Sequence, residues 1–140
     1  GEKTVSLYSF LAEEQSNFAY ADGKWTLKEL LQHLIDAERI FAYRALRFAR
    51  NDQTELAGWD EETYAKHYFS SERSLQSLID EFETVRKSSC LLFENLNEIQ
   101  LSKTGVANGN EISVETIGKL IVGHNIHHLN IIEERYLSKF

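Results

Sequence analysis

Apolar residues recur along this chain at intervals of three and four, and four stretches keep that rhythm long enough to predict amphipathic helices. The first covers about residues 3 to 18, with Val5, Tyr8, Leu11 and Phe18 inward, and ends before the turn-like Ala21-Asp22-Gly23. The second opens at Thr26, which with Glu29 has the spacing of a capping box, and carries Leu30, Leu34, Ala37, Phe41 and Phe48 to about Arg50. The third runs from about Glu72 to Leu96, with Leu75, Leu78, Ile79, Phe82, Val85, Leu92, Phe93 and Leu96 inward. The last is capped by Ser113 and runs from about Val114 to Leu137, on a stripe of Ile117, Leu120, Ile121, Ile131 and Ile132.

No stretch alternates as a strand does, so the pattern predicts an all-α fold, a four-helix bundle. Between the second and third helices, Asn51 to Ser71 contains Trp59, Tyr64, Tyr68 and Phe69, more aromatic surface than a free linker exposes. This segment is expected to pack over one end of the bundle, with a short helix near Glu61 to Lys66. Asn108-Gly109-Asn110 marks a turn before the last helix. These junctions are longer than minimal hairpins and allow a crossover connection. Neither repeats nor a flexible linker divides the chain, so one domain over residues 1–140 is expected.

Composition narrows the chemistry. A length of 140 residues, 42% of them hydrophobic, suffices for a single core. No run approaches the roughly 18 apolar residues of a membrane span, and the N-terminal stretch has no secretory pattern, so a soluble cytoplasmic protein is expected. Methionine is absent even at the start, as in a processed form or a fragment. With 15 Lys+Arg against 22 Asp+Glu and a net charge of -7, nucleic acid is not an expected partner. Cys90 is the only cysteine, which excludes an intrachain disulfide and a cysteine-rich metal site and suggests a buried structural thiol. A metal would have to use His, Asp or Glu.

The last helix supplies such donors in Gly123-His124-Asn125-Ile126-His127-His128. At about 100° per residue, His124 falls near the centre of the apolar stripe and His128 about 40° to one side. One turn apart, two imidazoles can bind the same ion. His127, about 60° to the other side, ranks behind His128. Two rings make an incomplete site, and the best third donor is His33, at the edge of the second helix's stripe. His67, in the polar connecting segment, reads as a surface residue. The alternative is a set of core histidines satisfied by carbonyls or carboxylates, and spacing alone leaves both readings open. Asp36, one turn beyond His33, is the candidate catalytic group: it could orient an imidazole or take a proton from bound water, or be a solvated helix carboxylate. Arg44 is about 16 Å along the axis from His33, too far for direct metal contact. Trp25 is expected to staple the start of the second helix.

Gly23-Lys24-Trp25-Thr26, continuing through Glu29 and His33 to the stretch Ala37 to Arg44, together with Gly123-His124 to His127-His128, resembles the DinB-like (DinB/YfiT) superfamily of bacterial metal-binding bundles. The similarity covers about Ala21 to Leu137. Leu129-Asn130-Ile131 follows His128 here, where one common form of the family has Arg-Gly-Gln. The resemblance implies an up-down-down-up bundle and a metal held by three histidines, which fall on His33, His124 and His128.

Three neutral imidazoles leave a divalent ion an open position, where a water would be acidified toward a pKa of about 7 and a thiol would lose its proton. The resemblance favours a thiol S-transferase that brings a small-molecule thiol such as bacillithiol or mycothiol to an electrophilic substrate, with a metal-dependent hydrolase as the nearest alternative. A non-catalytic metal-binding or stress-response protein, and a helical interaction module, are further readings. The expected cofactor is a divalent ion, Zn or Ni first among those that imidazole suits. Family members often form dimers, and an exposed apolar face on the first helix would permit a homodimer.

Overall fold

The first predicted helix forms as two. In the computed structural model, which describes the backbone of residues 1–140 and every side chain but that of Ser71, α1 spans Glu2–Ser9 and α2 spans Glu13–Ser16. The break corrects the expectation of one helix over residues 3 to 18, and its reason is tertiary. It leaves Glu13 free to accept the N–H of Leu75 at 2.9 Å with one carboxylate oxygen and to pair with buried Lys28 through the other.

The next helix starts where the sequence places it. The Thr26 hydroxyl accepts the Glu29 N–H at 3.2 Å, the Glu29 carboxylate accepts the Thr26 N–H at 2.7 Å, and α3 runs Leu27–Ala49. A short α4, Glu61–Ala65, lies in the connecting segment, capped by Asp60. Ser74 caps α5, Leu75–Glu94, and Asn97 caps α6, Glu98–Leu101. Ser113 caps α7, Val114–Ile131, which continues as a π-helical turn over Ile132–Tyr136. Between α6 and α7 the chain forms an antiparallel hairpin, β1 Thr104–Ala107 with β2 Asn110–Ser113. Its two-residue turn is Asn108-Gly109, both at positive φ, 53° and 71°, the backbone that a tight hairpin of this hand requires. This small sheet, extended by a single bridge from Leu56 to Ala107, departs from the all-helical reading.

Cross-helix contacts fix the directions of the bundle. Gln32 meets Arg73, Arg39 meets Glu81 and Glu38 meets Arg86, so α3 and α5 run parallel. His33 near the start of α3 meets His128 near the end of α7, while Phe41 and Arg44 further along α3 share a cavity wall with Ile117 and Leu120, so these two are antiparallel. Tyr8 donates to the Leu27 carbonyl at 3.0 Å while Gly1 lies against Arg86, which sets α1 antiparallel to α3 and α5. The result is the up-down-down-up order. Because α3 and α5 are parallel, residues 50 to 74 must travel back along the bundle before α5 can begin.

Two apolar cores fill the interior. One joins Tyr8, Leu31, Ile35, Leu78, Phe82 and Ile132; the other joins Ala45, Phe48, Ala107, Val114 and Ile117. Between them lies a polar band. Glu38 accepts a two-pronged bond from Arg86 at 2.8 to 3.0 Å, and Thr4 donates to Asn125 at 2.9 Å, tying α1 to α7. Leu120, expected inward, is exposed, and Cys90 is exposed rather than buried, on a groove between α5 and α7. Among the described residues no helix is long and apolar enough to cross a membrane.

Candidate metal centre

Three imidazoles meet between α3 and α7. His33 comes from the second turn of α3, fixed in rotation by the capping box at Thr26 and by Leu30 and Leu34 on its core face. His124 and His128 stand one turn apart on α7, on the side that faces α3. The Nε2 of His124 is 3.0 Å from that of His33 and 3.1 Å from that of His128, and all three lie within 4.8 Å of one another. Among the described residues these three alone form such a group of potential donors.

The arrangement is poorly satisfied by hydrogen bonds alone. The His124 Nε2 takes part in both short contacts, yet one ring nitrogen offers either one proton or one lone pair. The Nδ1 atoms of His33 and His128 are buried without a hydrogen-bond partner, so no outer hydrogen bond orients these rings. Aromatic packing does so instead. The Trp25 ring lies 4.8 Å from that of His33, Trp59 stacks on it at 5.8 Å and 20°, and Phe41 meets His124 edge-on at 5.9 Å.

Burial keeps the rings neutral. It pushes the pKa of His33 down to about 3 and that of His128 to about 4, with the neighbouring imidazoles adding to the shift, and it lowers His124 as well. Three neutral, nearly convergent nitrogen donors fit a divalent ion, which takes imidazole only in its neutral form.

The other histidines stand apart. His127 is exposed and reaches only the edge of the group, 5.2 Å ring to ring from His128. His67 is exposed, its Nδ1 2.8 Å from the Thr63 carbonyl. Asp36 is drawn into a charged network across α3 and α5: it accepts from Gln32 at 3.0 Å and faces Arg39, which pairs with Glu81. None of these partners is a histidine. Arg44 is buried and donates to the Ala57 carbonyl at 3.0 Å, pinning the returning segment. Trp25 flanks His33 while its carbonyl accepts from Tyr136 at 2.7 Å.

Sequence reading missed one carboxylate. An oxygen of Glu61, at the start of α4, lies 3.9 Å from the His33 Nε2. Glu61 also shares with His128 the wall of a cavity of about 210 Å³. The aromatic content of residues 51 to 71 signals that this segment packs on the bundle, but not where along it.

Comparison with known proteins identifies the family. The family model of the DinB superfamily matches residues 2–132. A curated protein of Oceanobacillus iheyensis, provisionally named a metal-dependent hydrolase, is 26% identical over 121 residues, covering 85% of this chain and 69% of that protein. The solved structure of YfiT from Bacillus subtilis, described as a probable metal-dependent hydrolase with an unusual four-helix bundle topology, superposes with a TM-score of 0.85 at 18% identity. That match covers 98% of this chain and 80% of YfiT, and at such identity it establishes the fold alone.

Proposed function

The chain belongs to the DinB superfamily, and from that premise we propose that it is a metal-dependent hydrolase whose divalent ion is held by His33, His124 and His128. The convergence of the buried His33 and the half-buried His124 and His128 on one point carries this reading. When bound, a divalent ion supplies a Lewis acid that polarises an electrophile and acidifies a nucleophile. The chain's own contribution is to hold the donors. Trp25 and Trp59 fix the His33 ring, the i, i+4 spacing on α7 sets His124 and His128 side by side, and the cavity beside His128 gives a small molecule access. Zn or Ni suits this nitrogen set. The names carried by the Oceanobacillus iheyensis relative and YfiT support hydrolysis as the reaction.

Thiol S-transfer is the second reading. None of the three proposed donors carries a negative charge, so the ion keeps its full positive charge for an anionic sulfur. Adding a thiol to the cobalt-substituted protein separates the two: an intense near-ultraviolet sulfur-to-metal band favours transfer, and its absence favours water as the nucleophile.

Metal content is the direct test of the site. Elemental analysis of protein purified without an affinity tag is expected to find about one equivalent of divalent metal. The His33→Ala and His128→Ala variants are expected to lose it while keeping their helical circular dichroism. Wild-type protein that takes up neither zinc nor nickel would sink the proposal.

A further inference from the structure

The parallel pairing of α3 and α5 sends residues 50 to 74 back along the bundle, and their path is pinned at several points. Arg44 holds the Ala57 carbonyl, and Leu56 bonds on both sides to the hairpin, through its N–H to Val106 at 2.9 Å and through its carbonyl to Asn108 at 2.9 Å. Trp59 then stacks on His33, and the Asp60 carboxylate caps α4 by accepting the Thr63 N–H at 2.6 Å. The residue between this stack and the body of α4 is Glu61.

Its carboxylate has an oxygen 3.9 Å from the His33 Nε2 and, among the described hydrogen bonds, no partner. Glu61 also stays outside the donor group, which contains only the three histidines. A carboxylate just beyond the donors, half open to solvent and on the wall of the cavity that reaches His128, is placed to meet whatever enters. Asp36 is committed to Gln32 and Arg39.

We propose that Glu61 is the catalytic base of this site, taking the proton of the nucleophile that enters beside His128. The role rests on the reading of the three histidines as metal donors. As the nucleophile's O–H bond breaks, its proton passes to a carboxylate oxygen of Glu61 and its electron pair forms the new bond to the electrophilic carbon. The leaving group departs with its bonding pair and receives that proton from Glu61, which restores the carboxylate.

Cobalt-substituted wild type, Glu61→Gln, His33→Ala and, as a control, Glu83→Gln on the exposed face of α5 test this. Metal is counted by elemental analysis, azide binding is followed in the visible spectrum, and hydrolysis of p-nitrophenyl acetate is measured on the zinc-loaded proteins. Glu61→Gln is expected to keep one equivalent of metal, to bind azide about threefold or more tightly because a negative charge near the open position is gone, and to lose about 100-fold in hydrolysis. A purely structural role for Glu61 would leave azide affinity unchanged. Unchanged azide affinity and hydrolysis in Glu61→Gln, with metal bound, would overturn the role of Glu61 alone. Loss of metal in Glu61→Gln would make it a ligand and overturn its role as a base. No metal in wild type would remove the metal reading and this one together.

Discussion

Burial at the three histidines makes the stability of the metal-free protein depend on pH. Their folded pKa values, about 3 for His33 and about 4 for His128, lie below the unfolded value of about 6.5. As the pH falls below 6.5, the unfolded chain takes up protons that the folded one refuses. The contribution of these groups to stability is therefore present above 6.5 and is lost as the pH falls toward 4. Metal-free protein is expected to show a lower urea midpoint at pH 5 than at pH 7, and His33→Asn is expected to flatten that slope. Carboxylates with lowered pKa values, such as Glu13 and Glu81, act only in more acid solution, and Asp36, raised by burial, works in the opposite direction. An equal midpoint at both pH values would show that the rings protonate freely in the folded protein. A second residue-scale prediction concerns the Glu38–Arg86 pair in the polar band. Glu38→Ala leaves the half-buried Arg86 guanidinium without its carboxylate and is expected to cost about 1 to 3 kcal/mol by urea denaturation, whereas replacing both by leucine is expected to recover most of it.

At the scale of elements, the hairpin is fixed to α3 by a close approach. Gly105 in β1 lies against the ring of Phe48, so a methyl group added there would overlap a fully buried side chain. Gly105→Ala is expected to destabilise the protein by about 1 to 3 kcal/mol, read as a shift in the denaturation midpoint with an unchanged slope. A shift below a few tenths would mean that Phe48 swings aside. The same scale shows what the sequence made legible. The start of α3 could be read because Thr26 and Glu29 satisfy each other locally, and His124 and His128 because their spacing lies within one helix. His33 stood out as a third donor by its place at the edge of an apolar stripe, and the family resemblance was needed to choose the metal reading over a core of satisfied histidines. The break before α2 was hidden, because Glu13 finds its partners at Lys28 and Leu75, far along the chain. The hairpin carried its turn signal in Asn108-Gly109, but strands of four residues are too short to display alternation. Glu61 was hidden for a third reason: its approach to His33 depends on how far the returning segment has travelled, which no local pattern records.

For the whole molecule, the order of the helices decides where the chemistry can be. An antiparallel α3 and α5 could be joined by a short turn, and nothing would need to lie over the histidines. Their parallel course requires a return strap, and that strap carries Trp59 and Glu61 to the site. The two apolar cores on either side of the polar band have a different consequence. Each is largely self-contained, one near the start of α3 and the other near its end, with ions and amides rather than packed hydrocarbon between them. Such a seam is expected to let the two halves open as separate foldons. In native-state hydrogen exchange, the amides of residues 45–49 and 114–121 are expected to open as one group and those of residues 27–35 and 75–85 as another. An ion bound by α3 and α7 would slow exchange chiefly in the second group, so the loaded protein would breathe from its hairpin end.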